Sequence, residues 1–451
     1  MEKLFKLREN GTDVRTEIIG GVTTFLSMVY ILAVNPSILA ASGMNPAGVF
    51  TATAVSAAFA TLLMAFLANY PVALASGMGL NAYFAFTVCG DLAKMGIQDP
   101  WKIALTAVLV EGIVFVLLTF CKFREALVND VPKNLKLGIT AGIGLFIAIV
   151  GLKGAGIIVK NDSTLVAMGD LNSAPVALAL IGLMIVVILF HFKVPGHILW
   201  GILITWILGM IAQATGWYQV NVDAGAYSLF PDFAHGLKPA APAAFSFDFG
   251  FVASHVIDFV FIVFSFLFVD LFDTSGTLIG VAAKGNLLDE NGKLPKAGRA
   301  LMSDAVGTIA GACLGTSTVT SFVESSAGVA AGARTGLASV VTGALFIIAL
   351  PLSPFFTAIP GFATCPALVF VGLLMVSAVK DMDFTDDAAA AISGYLALIM
   401  MPFTYSIANG IMFGMLSYVI VRIFQGKIKD VHIVMWIASV LFVLRIITLV
   451  R

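Results

Sequence analysis

Long apolar segments recur along this chain of 451 residues, in two successive sets of seven. A helix that crosses a bilayer needs roughly 20 mostly apolar residues, and charges, Pro and Gly mark the ends of each segment. The first set covers 17–39, 48–68, 71–88, 102–120, 134–151, 174–190 and 196–214, and the second covers 254–275, 299–314, 316–333, 336–352, 362–379, 386–402 and 405–424. We therefore predict an all-α polytopic membrane protein with fourteen transmembrane segments.

The low charge content excludes several classes of protein. Only 11% of the residues are charged, whereas a soluble domain carries about 25%. A water-soluble enzyme and a disordered chain both need more charge, and a nucleic-acid binder needs a basic face that a net charge of −1 does not suggest. The lipid bilayer is therefore the expected surroundings, and nucleic acid is not an expected partner.

The positive charges predict an orientation in the membrane. Of the 25 lysines and arginines, twenty fall on the side of the N-terminus, which is therefore placed in the cytoplasm. The five on the other side are Lys94, Lys102, Lys153, Lys160 and Lys238. No removable signal peptide is expected before the first segment. The apolar stretch 431–449 contains Arg445 and is predicted to be an interfacial helix rather than a fifteenth span. A multi-pass protein of the cytoplasmic (inner) membrane follows.

Seven is an odd number, so the two sets must lie in the membrane with opposite orientations. This predicts one inverted repeat over 1–215, an outer connection at 216–253, a second repeat over 254–424 and a cytoplasmic segment at 425–451. The third segment of each set is interrupted: 71–83 contains Pro and Gly, and 315–328 is rich in β-forming and hydroxyl residues. We predict a short strand that runs into a half-helix in each; a Gly-rich packing span is the alternative.

Polar residues lie inside several apolar segments, where an ionised group costs about 2.5–3.5 kcal/mol. The clearest are Asp270, Asp273 and Glu324, and a second group contains Asn81, Glu111 and Asp304. Asp270 and Asp273 share one helix face, so one can point into a cavity while the other holds a neighbouring element. Burial favours the neutral carboxyl, which makes the first group candidates for carrying a proton and for accepting N–H groups of a ligand. Bracing of helices is the alternative, and for the second group both roles stay open.

The sequence contains no pattern that indicates a metal site or an enzyme. The four cysteines lack CxxC or Cys–His spacing, and the five histidines fall at segment edges or in loops. No nucleophile–base pair lies within the segments. We therefore predict no metal, no cofactor and no catalytic residues.

Six stretches resemble the AzgA-like purine permeases of the nucleobase–cation symporter 2 group, and the resemblance covers nearly the whole chain. They are GTDVRTEIIGGVTTFLSMVYILAVNP (11–36), PVALASGMGLNAYFAF (71–86), GITAGIGLFIAIVGLK (138–153), LFDTSGTLIGVAAKGNLLDENGK (271–293), GTSTVTSFVESSAGVAAGARTGL (315–337) and MMPFTYSIANGI (400–411). The family's usual second stretch has Pro where Ser76 stands here. The resemblance implies a core domain of spans 1–4 and 8–11 and a gate domain of spans 5–7 and 12–14.

The resemblance also implies roles for particular residues. Asp273 on the eighth span and Glu324 on the tenth are expected to hydrogen-bond a purine base, with Asp270 as a further candidate for carrying the proton. A purine is flat and rich in N–H and ring-N groups, so it suits carboxyl groups, hydroxyls and aromatic rings. The remaining expected substrate contacts are Asn81, Thr274, Thr316, Ser317, Thr318, Ser321, Phe322 and Tyr83.

The expected function is proton-coupled uptake (symport) of purine nucleobases by alternating access. Adenine is favoured because LFDTSGTLIG and GTSTVTSFVES look most like the adenine-transporting branch, with guanine and hypoxanthine as the alternative. An anion transporter on the same architecture, a membrane-embedded enzyme, and a receptor or channel without coupling are further alternatives. Purine, protons and the bilayer are the expected partners. Related transporters often dimerise, so a homodimer is a candidate, although no motif indicates an interface.

Overall fold

A computed structural model describes residues 2–120, 131–221, 227–232, 239–289 and 294–450. Lys238, part of the connection at 216–253, and Cys121 lie outside these residues. The α-helices, in chain order, are α1 Glu2–Phe5, α2 Val14–Met28, α3 Ile31–Ala40, α4 Pro46–Leu63, α5 Met78–Ala82, α6 Cys89–Lys94, α7 Pro100–Phe120, α8 Lys133–Gly154, α9 Ala174–His191, α10 His197–Ala214, α11 Gly250–Ser254, α12 Val256–Lys284, α13 Ala297–Leu314, α14 Ser325–Ala330, α15 Gly336–Ile348, α16 Ser353–Thr357, α17 Gly361–Val376, α18 Ala388–Thr404, α19 Ile407–Phe424 and α20 Ile433–Val450. The strands are β1 Leu74–Ser76, β2 Ile158–Asn161, β3 Leu165–Met168 and β4 Val319–Ser321.

Side chains at the helix ends explain where several helices begin. Asp13 accepts a hydrogen bond from the backbone N–H of Thr16 at 2.9 Å and starts α2. Asn45 caps α4 in the same way, with Pro46 as the first helical residue. Asp387 caps α18 through the N–H of Ala389 at 3.1 Å. Each cap satisfies a backbone donor that the helix itself leaves unpaired.

Several helices have the length and apolar character of a membrane-crossing helix. Within the described residues eight qualify, and α15 with its continuation to Thr357 forms a further candidate that bends by 43°. The other predicted segments coincide with shorter, interrupted or more polar elements, so the count of fourteen crossings and the inverted repeat stay predictions. The helix at the eighth segment differs from expectation, because α12 has 29 residues and extends well beyond residue 275. At 1.5 Å per residue it is about 43 Å long.

Each interrupted segment contains the short strand that the sequence predicts, and the two strands pair with each other. β1 and β4 pair antiparallel, with Leu74 opposite Ser321 and Ser76 opposite Val319. β1 leads into α5 and β4 leads towards α14, and both are short helices. The Thr61 hydroxyl, which lies on α4, is 2.9 Å from the Leu74 N and 3.0 Å from its carbonyl oxygen. Irregular backbone inside a membrane protein needs such partners, because lipid offers none.

Helix contacts fall into two groups around this strand pair. In one group α2 and α4 pack on α15, and α7 packs on α13; in the other, α8 packs on α17 and α18, and α9 packs on α10 and α17. Gly138 lets α8 approach α18 closely, since a Cβ there would lie 2.2 Å from the carbonyl oxygen of Gly394. The division into a core and a gate domain stays a prediction.

The C-terminal helix α20 packs on the bundle through one stripe of buried residues. Met435, Ala438 and Phe442 are all fully buried. The Phe442 ring lies 5.8 Å from the rings of Phe261 and Phe264 on α12, close to perpendicular to both. The helix therefore has a protein partner along part of its length, and its predicted interfacial position stays a prediction.

Candidate functional site

A cavity of about 430 Å³ lies beside the strand pair, between α5, α8, α12 and α17. Asp273 and Glu324, the two acids expected to hydrogen-bond the base, line this cavity. Ser321 and Phe322, also predicted as substrate contacts, belong to the same wall. These four residues come from two distant parts of the chain, and the fold brings them together around one space.

Asp273 is held at the cavity by the strand next to it. The Thr320 hydroxyl on β4 donates a hydrogen bond to Asp273 Oδ2 at 3.3 Å. Gly77 makes room for this arrangement, because a Cβ at that position would lie 2.9 Å from Thr320 Oγ1. The end of β1 and Thr320 on β4 thus lie close together beside the carboxyl group of Asp273.

Glu324 stands at the start of α14, three residues after the end of β4. The hydroxyl of Tyr30 donates a hydrogen bond to Glu324 Oε1. Tyr30 is fully buried where α2 ends and α3 begins, and Glu324 is 9% exposed. Tyr30 was not predicted as a site residue, although a lone Tyr in an apolar segment is a usable signal, since a buried phenol needs a polar partner.

Two further residues of the cavity wall suit a small flat ligand. The Ser321 side chain is 3% exposed, and its hydroxyl has no hydrogen-bond partner within the described part of the chain. Phe322 is 5% exposed and adds an aromatic ring to the same wall. A buried hydroxyl without a partner is costly, so a ligand that hydrogen-bonds Ser321 would gain from it.

Other predicted substrate contacts lie behind the strands instead of lining this cavity. Asn35 donates to the Thr316 hydroxyl at 2.9 Å, Thr316 donates to Ser76 at 3.2 Å, and Ser76 donates to Asn81 at 2.8 Å. Ser76 therefore contributes a hydroxyl that the proline usual in the family could not supply. These side chains form a buried polar network that fixes the strand pair.

Three more of the predicted contacts are also placed away from the cavity. Thr318 is fully buried and donates to Glu111 Oε2 at 3.0 Å. Ser317 is fully buried, and its hydroxyl has no hydrogen-bond partner among the described residues. Tyr83 lines a second cavity, near the other end of the interrupted segment. The orientation of these side chains follows from the packing of the helices.

Asp270 shares a hydroxyl with a second buried acid. Thr274 Oγ1 lies 3.1 Å from Asp270 Oδ1 and 2.9 Å from Asp304 Oδ1, and all three side chains are fully buried. A hydroxyl has one hydrogen to donate. Both contacts are hydrogen bonds only if one of the two carboxyl groups is protonated and donates to the Thr274 oxygen. Asp273 thus faces the cavity, while Asp270 contacts Thr274.

The cavity mouth carries both signs of charge, and the described residues contain no metal-binding cluster. Lys380 and Asp381, both exposed, line the edge of the cavity. Across the described ranges no group of three or more His, Cys, Asp or Glu could hold a metal ion. Three cysteines, Cys89, Cys313 and Cys365, are described, and each is a free thiol.

The paired strands with their half-helices, the apolar helices and the acid-lined cavity beside them define a multi-pass membrane protein with a transporter fold. The transmembrane domain of a cyanobacterial bicarbonate transporter, BicA, superposes with a TM-score of 0.65 at 16% sequence identity, covering 87% of this chain and 96% of that one. At this identity the likeness concerns the fold alone.

Sequence comparison identifies the family. A family model described as the permease family, Xan_ur_permease, matches residues 15–413. The chain is 44% identical to the guanine/hypoxanthine permease PbuG of Bacillus subtilis, over 98% of this chain and 99% of that protein. It is 41% identical to the adenine permease AdeP of Escherichia coli, over 99% and 96% respectively. The chain belongs to this permease family, the nucleobase:cation symporter 2 group.

Proposed function

We propose that this protein takes up purine nucleobases together with protons across the cytoplasmic membrane. The observation that carries the proposal is the placement of two carboxyl groups, Asp273 and Glu324, in the wall of one cavity of a permease-family fold. Fourteen spans in two inverted repeats, with core and gate domains that move against each other, would give that cavity alternating access. The N-terminus is proposed to be cytoplasmic.

The chemistry of the cavity suits a neutral heterocycle. Asp273 and Glu324 can accept hydrogen bonds from ring and exocyclic N–H groups, and Ser321 can donate to a ring nitrogen. Phe322 offers an apolar surface for the flat ring. A cavity of about 430 Å³ lies at the small end of the range for small-molecule sites, roughly 300–1,000 Å³. Anion transport is not proposed, because two carboxyl groups would repel an anion from this wall.

Proton coupling follows from the buried acids. If both contacts of the Thr274 hydroxyl are hydrogen bonds, Asp270 or Asp304 holds a proton close to Asp273. Asp273, Asp270 and Glu324 are the proposed proton carriers. A proton that binds one of these carboxyl groups from one side of the membrane and leaves to the other would link proton movement to movement of the base.

The preferred purine is proposed to be adenine, with guanine and hypoxanthine as the second candidate. Overall identity does not separate them, since relatives named as adenine permeases are 40–41% identical to the chain and those named as guanine/hypoxanthine permeases PbuG and PbuO are 43–44% identical. Competition of labelled adenine uptake by each unlabelled base measures the order directly. Adenine should compete at the lowest concentration; a lower value for guanine or hypoxanthine would reverse the order.

Substitution of the two acids tests the binding site. Asp273→Asn and Glu324→Gln should each abolish uptake of labelled purine in cells that lack their own purine permeases, while the protein still reaches the membrane. Asp162→Asn is a matched control, because Asp162 is exposed and pairs only with Lys160 at 2.8 Å. Wild-type uptake by either acid variant would overturn the assignment of the site.

A further inference from the structure

A second cavity, of about 300 Å³, lies apart from the one described above. Its wall is formed by the end of the first interrupted segment, 71–88, and by the starts of α12 and α19. The lining residues include Tyr83, Thr87, Asp258, Asn409 and Met412. The function proposed above makes no use of it. It also contains Tyr83, a predicted substrate contact that does not line the first cavity.

Two elements line both cavities at different points along their length. On α12, Asp273 belongs to the first cavity and Ile262 to the second. These positions are eleven residues apart, or about 16 Å along a helix axis. On the first interrupted segment, 71–88, Gly77 and Gly79 line the first cavity, and Thr87 lines the second. The second cavity therefore lies towards the other end of these helices.

Packed aromatic rings lie beside the second cavity. Phe266 on α12 is fully buried, and its ring centre lies 4.8 Å from that of Tyr83, nearly perpendicular to it. Phe86 contacts Tyr405, at the junction of α18 and α19, with ring centres 5.9 Å apart. The two cavities have no lining residue in common, so they are distinct spaces in this conformation.

The polar groups of the second cavity resemble those of the first in kind. Thr87 is 8% exposed, and its hydroxyl has no hydrogen-bond partner among the residues that the structure describes. Asn409 brings an amide that can both donate and accept, and Asp258 brings a carboxyl group. Lys94 and Asp91 at the edge pair with each other at 2.9 Å. The charges at the edge of the cavity neutralise each other, and its wall offers both hydrogen-bond donors and acceptors beside the ring of Tyr83. These groups suit a neutral flat heterocycle better than an ion.

We propose that the second cavity binds the same purine base as the first, as an encounter site on the opposite face of the membrane. This inference rests on the proposed function and on the orientation that places Lys94 outside the cell. Thr87 and Asn409 hydrogen-bond the base there, and the ring of Tyr83 packs against it. The base moves on to Asp273 and Glu324 when the aromatic contacts open.

Counting bound purine per chain tests the proposal. Equilibrium dialysis of the purified wild-type protein with labelled adenine should give two sites per chain, one tighter than the other. The double variant Thr87→Val/Asn409→Leu should lose the weaker site and keep the tighter one with its affinity unchanged within about twofold. Asp273→Asn should lose the tighter site and keep the weaker one. Each preparation is checked for a single symmetric peak in size-exclusion chromatography.

Two further variants separate a binding role from a general effect on structure. Thr87→Ser keeps the hydroxyl and should keep the weaker site. Ser417→Ala, on the same helix as Asn409 and bonded only to the backbone of Gly414 at 2.9 Å, should bind as wild type. In uptake assays the double variant should show a KM raised roughly fivefold, as expected for lost hydrogen bonds, with an unchanged maximal rate.

The outcomes distinguish this inference from the function on which it rests. One site per chain in the wild type, or equal binding curves for the wild type and the Thr87→Val/Asn409→Leu variant, would overturn the second site alone. An absence of purine binding by the wild type would overturn the proposed function, and this inference with it.

Discussion

Replacement of Tyr30 by Phe removes one hydroxyl from behind the cavity and is expected to weaken purine uptake. That hydroxyl donates to Glu324 Oε1, and neither side chain has much contact with solvent, at 0% and 9% exposed. A hydrogen bond to a charged group contributes about 1.5–3 kcal/mol, and each 1.4 kcal/mol is about a factor of ten in affinity. Without the hydroxyl, the Glu324 carboxyl group loses its fixed position, so KM should rise roughly 10- to 100-fold.

The assay is the initial rate of labelled purine uptake as a function of concentration, normalised to protein in the membrane. Tyr395→Phe is the matched control, since Tyr395 is 48% exposed on α18 and lines neither cavity. A double-mutant cycle adds a sharper test, measured as equilibrium binding of labelled purine. In a Glu324→Gln background, Tyr30→Phe should cost much less than it costs alone, because the two groups act as one unit. A wild-type KM for Tyr30→Phe would refute the positioning role.

Three other substitutions probe different parts of the structure. Glu17→Ala should lower the melting temperature, because Glu17 accepts backbone N–H groups at the start of α15, from Arg334 at 2.8 Å and Ala338 at 3.1 Å; the loss is about 1–3 kcal/mol. Gly77→Ala should reduce uptake at least tenfold, because its Cβ would push Thr320 away from Asp273. Thr274→Val should uncouple uptake from the proton gradient, since the bridge between two buried carboxyl groups is lost.

Each of these substitutions has a control elsewhere in the chain. Glu9→Ala removes an exposed acid that pairs with Lys6 at 2.9 Å and should leave the melting temperature unchanged. Gly90→Ala meets no atom within 4 Å and should transport normally. Thr119→Val removes a hydroxyl that bonds only the backbone of Phe115, and it should stay coupled. A normal melting temperature for Glu17→Ala, normal uptake for Gly77→Ala or gradient-driven accumulation by Thr274→Val would contradict the respective role.

The local chemistry of the chain made the two short strands and the principal acids predictable, but not the pairing of the strands. Pro and Gly at 71–79 and the hydroxyl-rich run before Glu324 are incompatible with one continuous helix, and an extended stretch is what they favour. Asp273 and Glu324 stood out because charge is costly in a bilayer. These signals depend on residue type and spacing, which a single sequence displays.

The partners of these groups could not be predicted in the same way. Thr274 and Asn81 lie close in sequence to residues of the cavity wall, yet their side chains contact other buried polar groups. Successive residues of a helix point about 100° apart around its axis, so a neighbour in sequence has different partners. Tyr30 meets Glu324 from a position 294 residues away. Contacts of that kind depend on how the helices are packed, and no local pattern reports them.

The length of α12 and the second cavity escaped prediction for related reasons. The eighth segment was expected to end at residue 275, but the helix continues to Lys284. The second cavity is enclosed by three separate elements, and its residues are ordinary ones for a helix end. Its existence depends on where α19 begins relative to α12, which follows from tertiary packing.

The central claim is that purine and proton move together through the cavity lined by Asp273 and Glu324. Purified protein in liposomes that contain a pH-sensitive dye tests it most directly. With no pre-formed gradient, adding purine outside should acidify the interior for the wild type and leave it unchanged for Asp273→Asn. Purine accumulation by the wild type with no acidification, and with no loss of rate when a protonophore is present, would contradict the account.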